Sequence, residues 1–295
     1  MFIKKTILLT ISIILFVSCT TELKQNNIIS VSVLPQKYFV ERIVGDKFEV
    51  NVIIPPGSSP ATYEPTPSDL IALSHSPLYF RIGHIGFEKA WMNKIITVNP
   101  KMKVVDTSEN VELIMTDHHH EGEHMDEDKD EDIEGINPHI WLSPSAVKIQ
   151  AENIYNAILK YDPINTEYYK DNFESFAKDI EKIDMQITMI LKNIKNRKFI
   201  VYHPAWSYFA KQYNLIQMPI EFEGKSPTPS VLKNIIDTAN KENVRVMIVQ
   251  KQFDKKQAEA IAESMQGKVI QLDPLAENWI VNMIKIARTF QFELK

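Results

Sequence analysis

Short apolar runs alternate with amphipathic stretches along most of the chain, beginning at Ile28. The apolar runs have the length of strands and the amphipathic stretches the spacing of helices, a pattern that predicts βαβ units and mainly parallel sheets. In the first half we predict strands at residues 28–34, 48–54 and 78–82 and helices at residues 36–44, 68–74 and 86–96. A second set of predicted strands occupies residues 198–202, 215–220, 244–249 and 268–272. The sequence therefore predicts an α/β protein with two lobes.

The most regular segment of the chain lies between these two sets of strands. Its apolar residues recur at alternating spacings of three and four, as on one face of a helix: Phe173, Phe176, Ile180, Ile183, Ile187, Ile190 and Ile194. Pro163 precedes them, as expected at a helix start. We predict a connecting helix over residues 164–194, roughly 45 Å long, between lobes at residues 28–163 and 195–295. The alternative is a coiled-coil helix for dimerisation.

The sequence Pro-Thr-Pro-Ser occurs at residues 65–68 and again at residues 227–230, each time before a predicted helix. In both copies the Thr is placed to cap the helix and the second Pro to occupy its first position. The repeat is either a trace of two related lobes or a chance recurrence of a turn sequence.

The first 18 residues have the features of a secretory signal peptide. Lys4 and Lys5 precede an apolar run of about 12 residues, which is too short to span a bilayer comfortably. The run ends in Phe-Val-Ser-Cys, which resembles the lipobox of bacterial lipoproteins. We predict a lipid anchor at Cys19 rather than a buried cysteine, a polar tether over residues 19–27, and a fold held at a membrane in the periplasm or at the cell surface.

Composition limits the partners and the kinds of site. The chain has 33 Lys and Arg residues against 38 Asp and Glu residues, a net charge of −5, which argues against a nucleic-acid partner. The single cysteine excludes an internal disulfide and any metal site built from several cysteines. Eight histidines remain as candidate ligands.

Four of the histidines lie in an acidic segment at residues 117–135, with ten carboxylates and one lysine. The segment has no apolar periodicity, so we expect a solvated loop. It contains an H-E-x-x-H pattern, but this forms a protease zinc site only on a stable helix, which Gly122 and the repelling carboxylates oppose. The segment is either a solubilising charge run or, as we favour, an auxiliary tract that collects metal through His118, His119, His120 and His124.

Three further candidate ligands stand after predicted strands or at sharp turns: His139, His203 and Asp273. Ligands of open α/β sheets collect outside the carboxyl ends of the strands, so these side chains are placed to meet in a cleft. Each also has a structural alternative, as a hydrogen-bonded histidine or as a turn-forming Asp before Pro. Trp141 and Trp206 either wall the site or belong to the core.

Seven features of the mature chain occur in a characteristic order: PPGSSPATYEPTPSDL, the acidic histidine-rich loop, NPHIWLSP, the long helix, VYHPAWSYF, EFEGKSPTPS and LDPLAENW. Together they resemble the lipid-anchored substrate-binding proteins of zinc and manganese ABC transporters, from residue 28 to the C-terminus. The resemblance implies two Rossmann-like lobes joined by a single long rigid helix, with a metal site in the cleft between them.

By motif, the resemblance makes His139 and His203 the second and third metal ligands and Asp273 the fourth. The family usually has a histidine as the first ligand, where this chain has Ala61. We expect His84 to replace it, because imidazole keeps the nitrogen-rich tetrahedral set that suits zinc. Glu64 or water is the alternative. We expect His75 to be structural.

The expected function is capture of a divalent cation outside the cytoplasm and its delivery to the permease of an ABC importer, by a monomer without enzymatic activity. Zinc is expected because imidazole suits it, whereas manganese favours more carboxylate oxygen. A manganese-specific protein of the same type and a lipid-anchored adhesin are the alternatives. A metallohydrolase with an open zinc position would need Glu64 as its general base.

Overall fold

The computed structural model describes residues 27–115, 135–221, 227–253 and 255–294. Within them the chain forms two four-stranded sheets, and all pairings between their strands are parallel. The first sheet has the order β2-β1-β3-β4 and consists of β1 (Ile28–Val31), β2 (Glu49–Val52), β3 (Leu78–Arg81) and β4 (Lys103–Asp106). The predicted fold class, two parallel α/β lobes, is confirmed.

The first three strands are each followed by a helix, as parallel connections require. These helices are α1 (Leu34–Val44), α2 (Pro67–His75) and α3 (Gly86–Val98). All three were predicted, with starts within two residues of those observed. The prediction missed β4, because its two apolar residues, Val104 and Val105, lie between charged ones and form no visible run.

Two long helices lie between the sheets. The first is α4 (Pro144–Tyr161), which the sequence pattern left unassigned; it begins with Pro144, and the Ser143 hydroxyl accepts a hydrogen bond from its first turn. A 3₁₀ turn (Pro163–Asn165) leads into α5 (Thr166–Leu191), the predicted connecting helix. With 26 residues, α5 is roughly 39 Å long, so the prediction of residues 164–194 was correct in place but too long.

The second sheet has the order β6-β5-β7-β8, the same pattern as the first. Its strands are β5 (Lys198–Val201), β6 (Ile216–Pro219), β7 (Val246–Gln250) and β8 (Lys268–Leu272). Its helices are α6 (Ser207–Gln212), α7 (Pro229–Lys241), α8 (Lys255–Ser264) and α9 (Trp279–Glu293). All four predicted strands of this lobe are present.

The two Pro-Thr-Pro-Ser segments occupy matching places in the two lobes. Thr66 caps α2, the helix after the second strand of the first sheet, and accepts a hydrogen bond from the Asp69 N–H. Thr228 caps α7, the helix after the second strand of the second sheet, and accepts from the Val231 N–H. Both caps were predicted. The matching positions and sheet orders favour two related lobes over a chance recurrence.

The apolar face of α5 is buried within the chain. Phe176, Ile180, Ile183, Ile187 and Leu191 are each at most 5% exposed, and the helix packs against α1, α4 and α9. Residues of α5 and of both sheets belong to one continuous core. Because this face is already covered, the coiled-coil alternative is wrong.

The predicted signal peptide, Cys19, and His118, His119, His120 and His124 lie outside the described residues. Among the residues that the structure describes, no helix is both long and apolar enough to cross a membrane.

The packing of α5 yields a test of stability. Ile180 is 2% exposed and faces the core, whereas Met185 on the same helix is 60% exposed. We expect Ile180→Ala to lower the free energy of unfolding by about 2–5 kcal/mol, since it removes buried methylenes and leaves a cavity. Met185→Ala is the control and should stay within about 0.5 kcal/mol of wild type. Urea denaturation measures both, and equal losses would contradict the buried face.

Candidate metal centre

His139 and His203 meet where the segment before α4 reaches the end of β5. His139 immediately precedes a 3₁₀ turn (Ile140–Leu142) that leads into α4, and His203 is the second residue after β5. Their ring centroids are 5.2 Å apart, with an angle of 71° between the ring planes. The structure therefore brings together two of the predicted ligands that are 64 residues apart in sequence.

The buried amide of Asn137 fixes the tautomer of His139. Its Oδ1 lies 3.0 Å from the His139 backbone nitrogen and 2.8 Å from the ring Nδ1. Its Nδ2 donates to the carbonyl oxygen of Pro204, 2.8 Å away, which settles which end of the amide is the oxygen. Since Oδ1 accepts, Nδ1 carries the proton. The other ring nitrogen, Nε2, is thereby left as the atom that can bind a metal.

The same amide ties the two histidine segments together. Besides Pro204, which follows His203, the Asn137 Nδ2 donates to the Ser207 hydroxyl at 2.9 Å. The hydroxyl of Tyr208 donates to the Asn137 carbonyl oxygen at 2.8 Å. Asn137 is 2% exposed, so its removal would leave several buried polar groups unpaired.

Glu221 orients the second histidine. Its Oε1 lies 3.2 Å from the His203 Nδ1, and the residue is 4% exposed. The register explains the contact, since Val201 of β5 pairs with Pro219 of β6 and each residue stands two positions further on. A carboxylate on Nδ1 leaves Nε2 as the ligand atom, the usual outer-shell arrangement of metal-binding histidines.

Burial keeps His139 in the form that binds metal. Burial lowers the pKa of His139 well below its usual range, and the neighbouring His203 lowers it further. The imidazole is therefore neutral at physiological pH. Aromatic rings border the pair: Trp141 lies 5.1 Å from the His139 ring, and Phe253 stacks on the His203 ring at 5.6 Å. Trp141 thus serves both the site and the core, while the fully buried Trp206 belongs to the core.

Asp273 is the first residue after β8 and is connected to the histidines through Trp141. The Trp141 indole N–H donates to the carbonyl oxygen of Pro274, 2.8 Å away. One carboxylate oxygen of Asp273, Oδ1, accepts from the Leu275 N–H at 2.9 Å. The other, Oδ2, lies 3.3 Å from the Nζ atom of Lys251.

A cavity of about 240 Å³ opens beside Asp273 between the two lobes. The first lobe contributes residues that follow β1 and β2, and the second lobe residues that follow β7 and β8. Its lining comprises Val33, Leu34, Ile54, Pro55, Pro56, Gly57, Gln252, Asp273, Leu275, Ala276 and Glu277. The carboxyl ends of both sheets thus face one cleft, where the topology predicts a ligand.

His84 lies in the turn between β3 and α3, next to the loop that carries Ala61. A Cβ atom at Gly86 would lie 2.5 Å from the Ala61 carbonyl oxygen, and the Phe87 N–H donates to the Pro60 carbonyl oxygen at 2.9 Å. Burial lowers the pKa of His84, partly offset by Asp106. The residues that follow His84 therefore contact the loop of Ala61, where the resemblance led us to expect the first ligand.

The two other first-lobe candidates lie at the surface. Glu64 is exposed in the loop before α2. His75 ends α2, where its Nδ1 lies 2.8 Å from the Ile71 carbonyl oxygen. Within the described ranges, no three His, Cys, Asp or Glu side chains are grouped so as to hold a metal. The structure thus pairs His139 with His203 but does not bring Asp273, His84 or Glu64 into one group with them.

A buried carboxyl group, Glu88, holds the turn that carries His84. It accepts hydrogen bonds from the N–H groups of Ile82 and Gly83, at 2.8 and 2.7 Å, and from the Ser32 hydroxyl. Glu88 is 2% exposed, and burial raises its pKa to about 7.

Sequence reasoning missed Asn137, Glu221 and Glu88. Asn137 lies inside the NPHIWLSP segment. An Asn side chain commonly accepts a hydrogen bond from the backbone N–H two residues later, and here that residue is His139, so the sequence did contain a signal for this contact. Glu221 becomes apparent only from the strand register of the structure, which places it two residues beyond β6 as His203 is two residues beyond β5. For Glu88, no local pattern distinguishes a buried acid from an exposed one at the start of a helix.

Two parallel α/β lobes, a long helix between them, a pair of adjacent imidazoles and a cleft between the lobes define a metal-capturing substrate-binding protein. The family model for the periplasmic zinc-uptake complex component A, ZnuA, matches residues 29–291, and the chain belongs to this family. The expected family is confirmed.

Individual relatives agree with this assignment. A crystal structure of ZnuA superposes with a TM-score of 0.82 at 38% sequence identity, covering 91% of this chain and 99% of that one. The high-affinity zinc uptake system protein ZnuA of Bacillus subtilis is 29% identical over 245 residues, 82% of this chain and 76% of that protein. The manganese ABC transporter substrate-binding lipoprotein PsaA of Streptococcus pneumoniae is 27% identical over 236 residues, 76% of this chain and 71% of that protein. Zinc and manganese proteins therefore both occur among the relatives.

The contacts of Asn137 predict its effect on metal binding. We expect Asn137→Ala to weaken zinc binding by about 10–100-fold, the usual loss when an outer-shell partner of a ligating histidine is removed. Asn172→Ala is the control. Asn172 lies on α5 and likewise donates to a backbone carbonyl, that of Ile43 on α1, but its bond holds neither histidine segment. Competition with a chromophoric chelator measures both. Unchanged affinity in folded Asn137→Ala would refute the positioning role.

Glu88 predicts a pH dependence of stability. Its pKa is about 7 in the folded chain against 4.5 for an unperturbed group, so between these values the folded state keeps a proton that the unfolded state releases. The contribution of Glu88 to stability therefore falls as pH rises through this window, by on the order of 3 kcal/mol. The lowered pKa values of His139 and His84 act in the opposite direction, so the fall is measured as a difference between variants. Chemical denaturation between pH 5 and 8 should show it in wild type relative to Glu88→Gln, whereas the exposed control Glu49→Gln should run parallel to wild type. Parallel profiles for all three would contradict the assignment.

Proposed function

We propose that the chain captures Zn²⁺ outside the cytoplasm and delivers it to the permease of an ABC importer. The observation that carries the proposal is the pair of imidazoles, His139 and His203, each with its Nδ1 engaged by Asn137 or Glu221 and its Nε2 left for a metal. Two imidazole nitrogen donors supply a site that suits Zn²⁺ better than Mn²⁺, which favours oxygen.

In the proposed site, Asp273 and His84 complete the set of four ligands. Asp273 lies at the cleft and is linked to His139 through the hydrogen bond from Trp141 to Pro274. His84 is supported by its place two residues before Gly86, which closely approaches the Ala61 carbonyl. Small movements of the two lobes about the cleft would have to bring these groups to the metal. Glu64 is the weaker choice because it is exposed.

The remaining features of the proposal concern the surroundings of the fold. We propose that Cys19 carries the lipid anchor, that residues 1–18 are removed and that residues 19–27 form the tether. The mature chain would act as a monomer, with lobes at residues 28–163 and 195–295 and the connecting segment at residues 164–194. His118, His119, His120 and His124 would collect metal at lower affinity.

Neither alternative function receives support from a specific contact. A hydrolase would need a general base beside an open metal position, and Glu64 is exposed rather than held near the histidines. For an adhesin, no contact among the described residues points to a receptor-binding surface. We therefore propose a binding component without enzymatic activity.

Isothermal titration of the chain lacking residues 1–19, with Zn²⁺ and Mn²⁺ in competition, tests the proposal. We expect one tight Zn²⁺ site per chain, followed by weaker events that disappear when residues 117–135 are deleted. His203→Ala should abolish tight binding, and His84→Ala should weaken it at least about ten-fold, as loss of a ligand costs no less than loss of its outer partner.

His75→Ala is the matched control for His84→Ala, because it removes an imidazole of the same lobe whose Nδ1 faces a helix carbonyl. It should bind Zn²⁺ like wild type. Unchanged binding in His84→Ala would remove His84 from the site and leave the function intact. A wild-type chain without a tight Zn²⁺ site would overturn the function itself.

A further inference from the structure

We infer that Lys251 competes with the captured metal for Asp273 and thereby lowers the metal affinity of the cleft. The inference rests on the proposed function, because it takes Asp273 as a metal ligand. Lys251 is the first residue after β7 and Asp273 the first after β8. Gln250 pairs with Leu272 in the parallel register of these strands, so the two side chains are neighbours at the edge of the sheet.

The competition concerns a single oxygen atom. The Oδ1 atom of Asp273 accepts a hydrogen bond from the Leu275 N–H at 2.9 Å, which fixes the carboxylate. The Oδ2 atom is the one left to meet a metal, and the Nζ atom of Lys251 lies 3.3 Å from it. An ammonium group and a divalent cation cannot both occupy this position, because they repel each other and need the same lone pairs.

The exposures of the two side chains indicate which of them moves. The Asp273 side chain is 19% exposed and held in the cleft, whereas the Lys251 side chain is 57% exposed on a flexible stem. Lys251 therefore reaches Asp273 from solvent and can leave at little cost when a metal arrives. Lys251 balances the negative charge of the carboxylate in the metal-free protein and returns when the metal departs. The free energy of metal binding is therefore less favourable by the free energy of the ion pair, which must be broken when the metal binds and forms again when it leaves.

Removal of the lysine should therefore tighten metal binding. We expect Lys251→Ala to bind Zn²⁺ about five-fold more tightly than wild type, the upper range for a partly exposed ion pair. Lys251→Arg keeps a cation and should bind like wild type. Lys255→Ala is the control, because it removes a lysine of similar exposure that pairs with Glu259 on α8. Chelator competition on the full mature chain gives the ratios, since each variant carries the same acidic loop.

Two further measurements separate competition from an indirect effect. The advantage of Lys251→Ala should shrink as salt rises, because screening weakens the ion pair. The advantage should also vanish in an Asp273→Asn background, because the neutral amide has no negative charge for which the lysine and the metal could compete. The two substitutions are therefore expected to be coupled in a double-mutant cycle.

The outcomes identify which idea fails. If Asp273→Asn weakens Zn²⁺ binding but Lys251→Ala binds like wild type, the competition is overturned and Asp273 remains a ligand. If Lys251→Ala tightens binding equally with and without the Asp273 carboxylate, competition for this oxygen is also overturned. If wild type has no tight Zn²⁺ site at all, the proposed function is overturned, and the inference about Lys251 is overturned with it.

Discussion

The buried amide of Asn137 is the contact on which the arrangement of the candidate site depends. Its oxygen holds the ring of His139, and its nitrogen holds the backbone beside His203. A second connection runs through two indoles: the Trp279 N–H donates to the Trp141 carbonyl oxygen, and the Trp141 N–H to that of Pro274. The loops that carry His139, His203 and Asp273 are therefore held by one another. The geometry of these loops is set by hydrogen bonds from side chains to backbone groups, so it depends on the particular residues that make those bonds.

The connecting helix limits how the two lobes can move. One face of α5 is buried against helices of both lobes, and the core continues across it. Phe39 of α1 packs edge to face on Trp279 of α9, with centroids 5.5 Å apart, so the first helix of one lobe contacts the last helix of the other. Arg42 of α1 also pairs with Asp179 of α5 at 2.8 Å. A wide opening of the cleft would expose this packing, which favours small adjustments over a large hinge motion.

Much of the fold could be predicted from the sequence, because the apolar runs of the strands and the regular spacing of apolar residues along α5 leave few alternative secondary structures. Seven of the eight strands that the structure describes were found in this way, and β4 was missed because its apolar part is two residues long. The meeting of His139 and His203 followed from their positions after predicted elements and from the family motifs. The contacts that orient them did not follow, since Asn137 and Glu221 act through a side-chain turn and through strand register. The metal ligand of the first lobe stays a prediction, because this chain has Ala61 where the resemblance led us to expect a histidine, and alanine has no group that can bind a metal.

The two sheets share one strand order, yet their matching strand ends carry opposite chemistry. Two residues beyond β5 and β6 stand His203 and Glu221, whereas two residues beyond β1 and β2 stand Val33 and Ile54. In the described part of the chain, the ends of β1 and β2 therefore present an apolar wall to the cleft, while the donor His139 of the same lobe comes from the segment before α4. Such a wall keeps water and its high dielectric constant away from an ion in the cleft, so the attraction between that ion and its donors is less screened. Affinity for a cation in this cleft thus depends on the hydrocarbon that faces the site as well as on the atoms that bind.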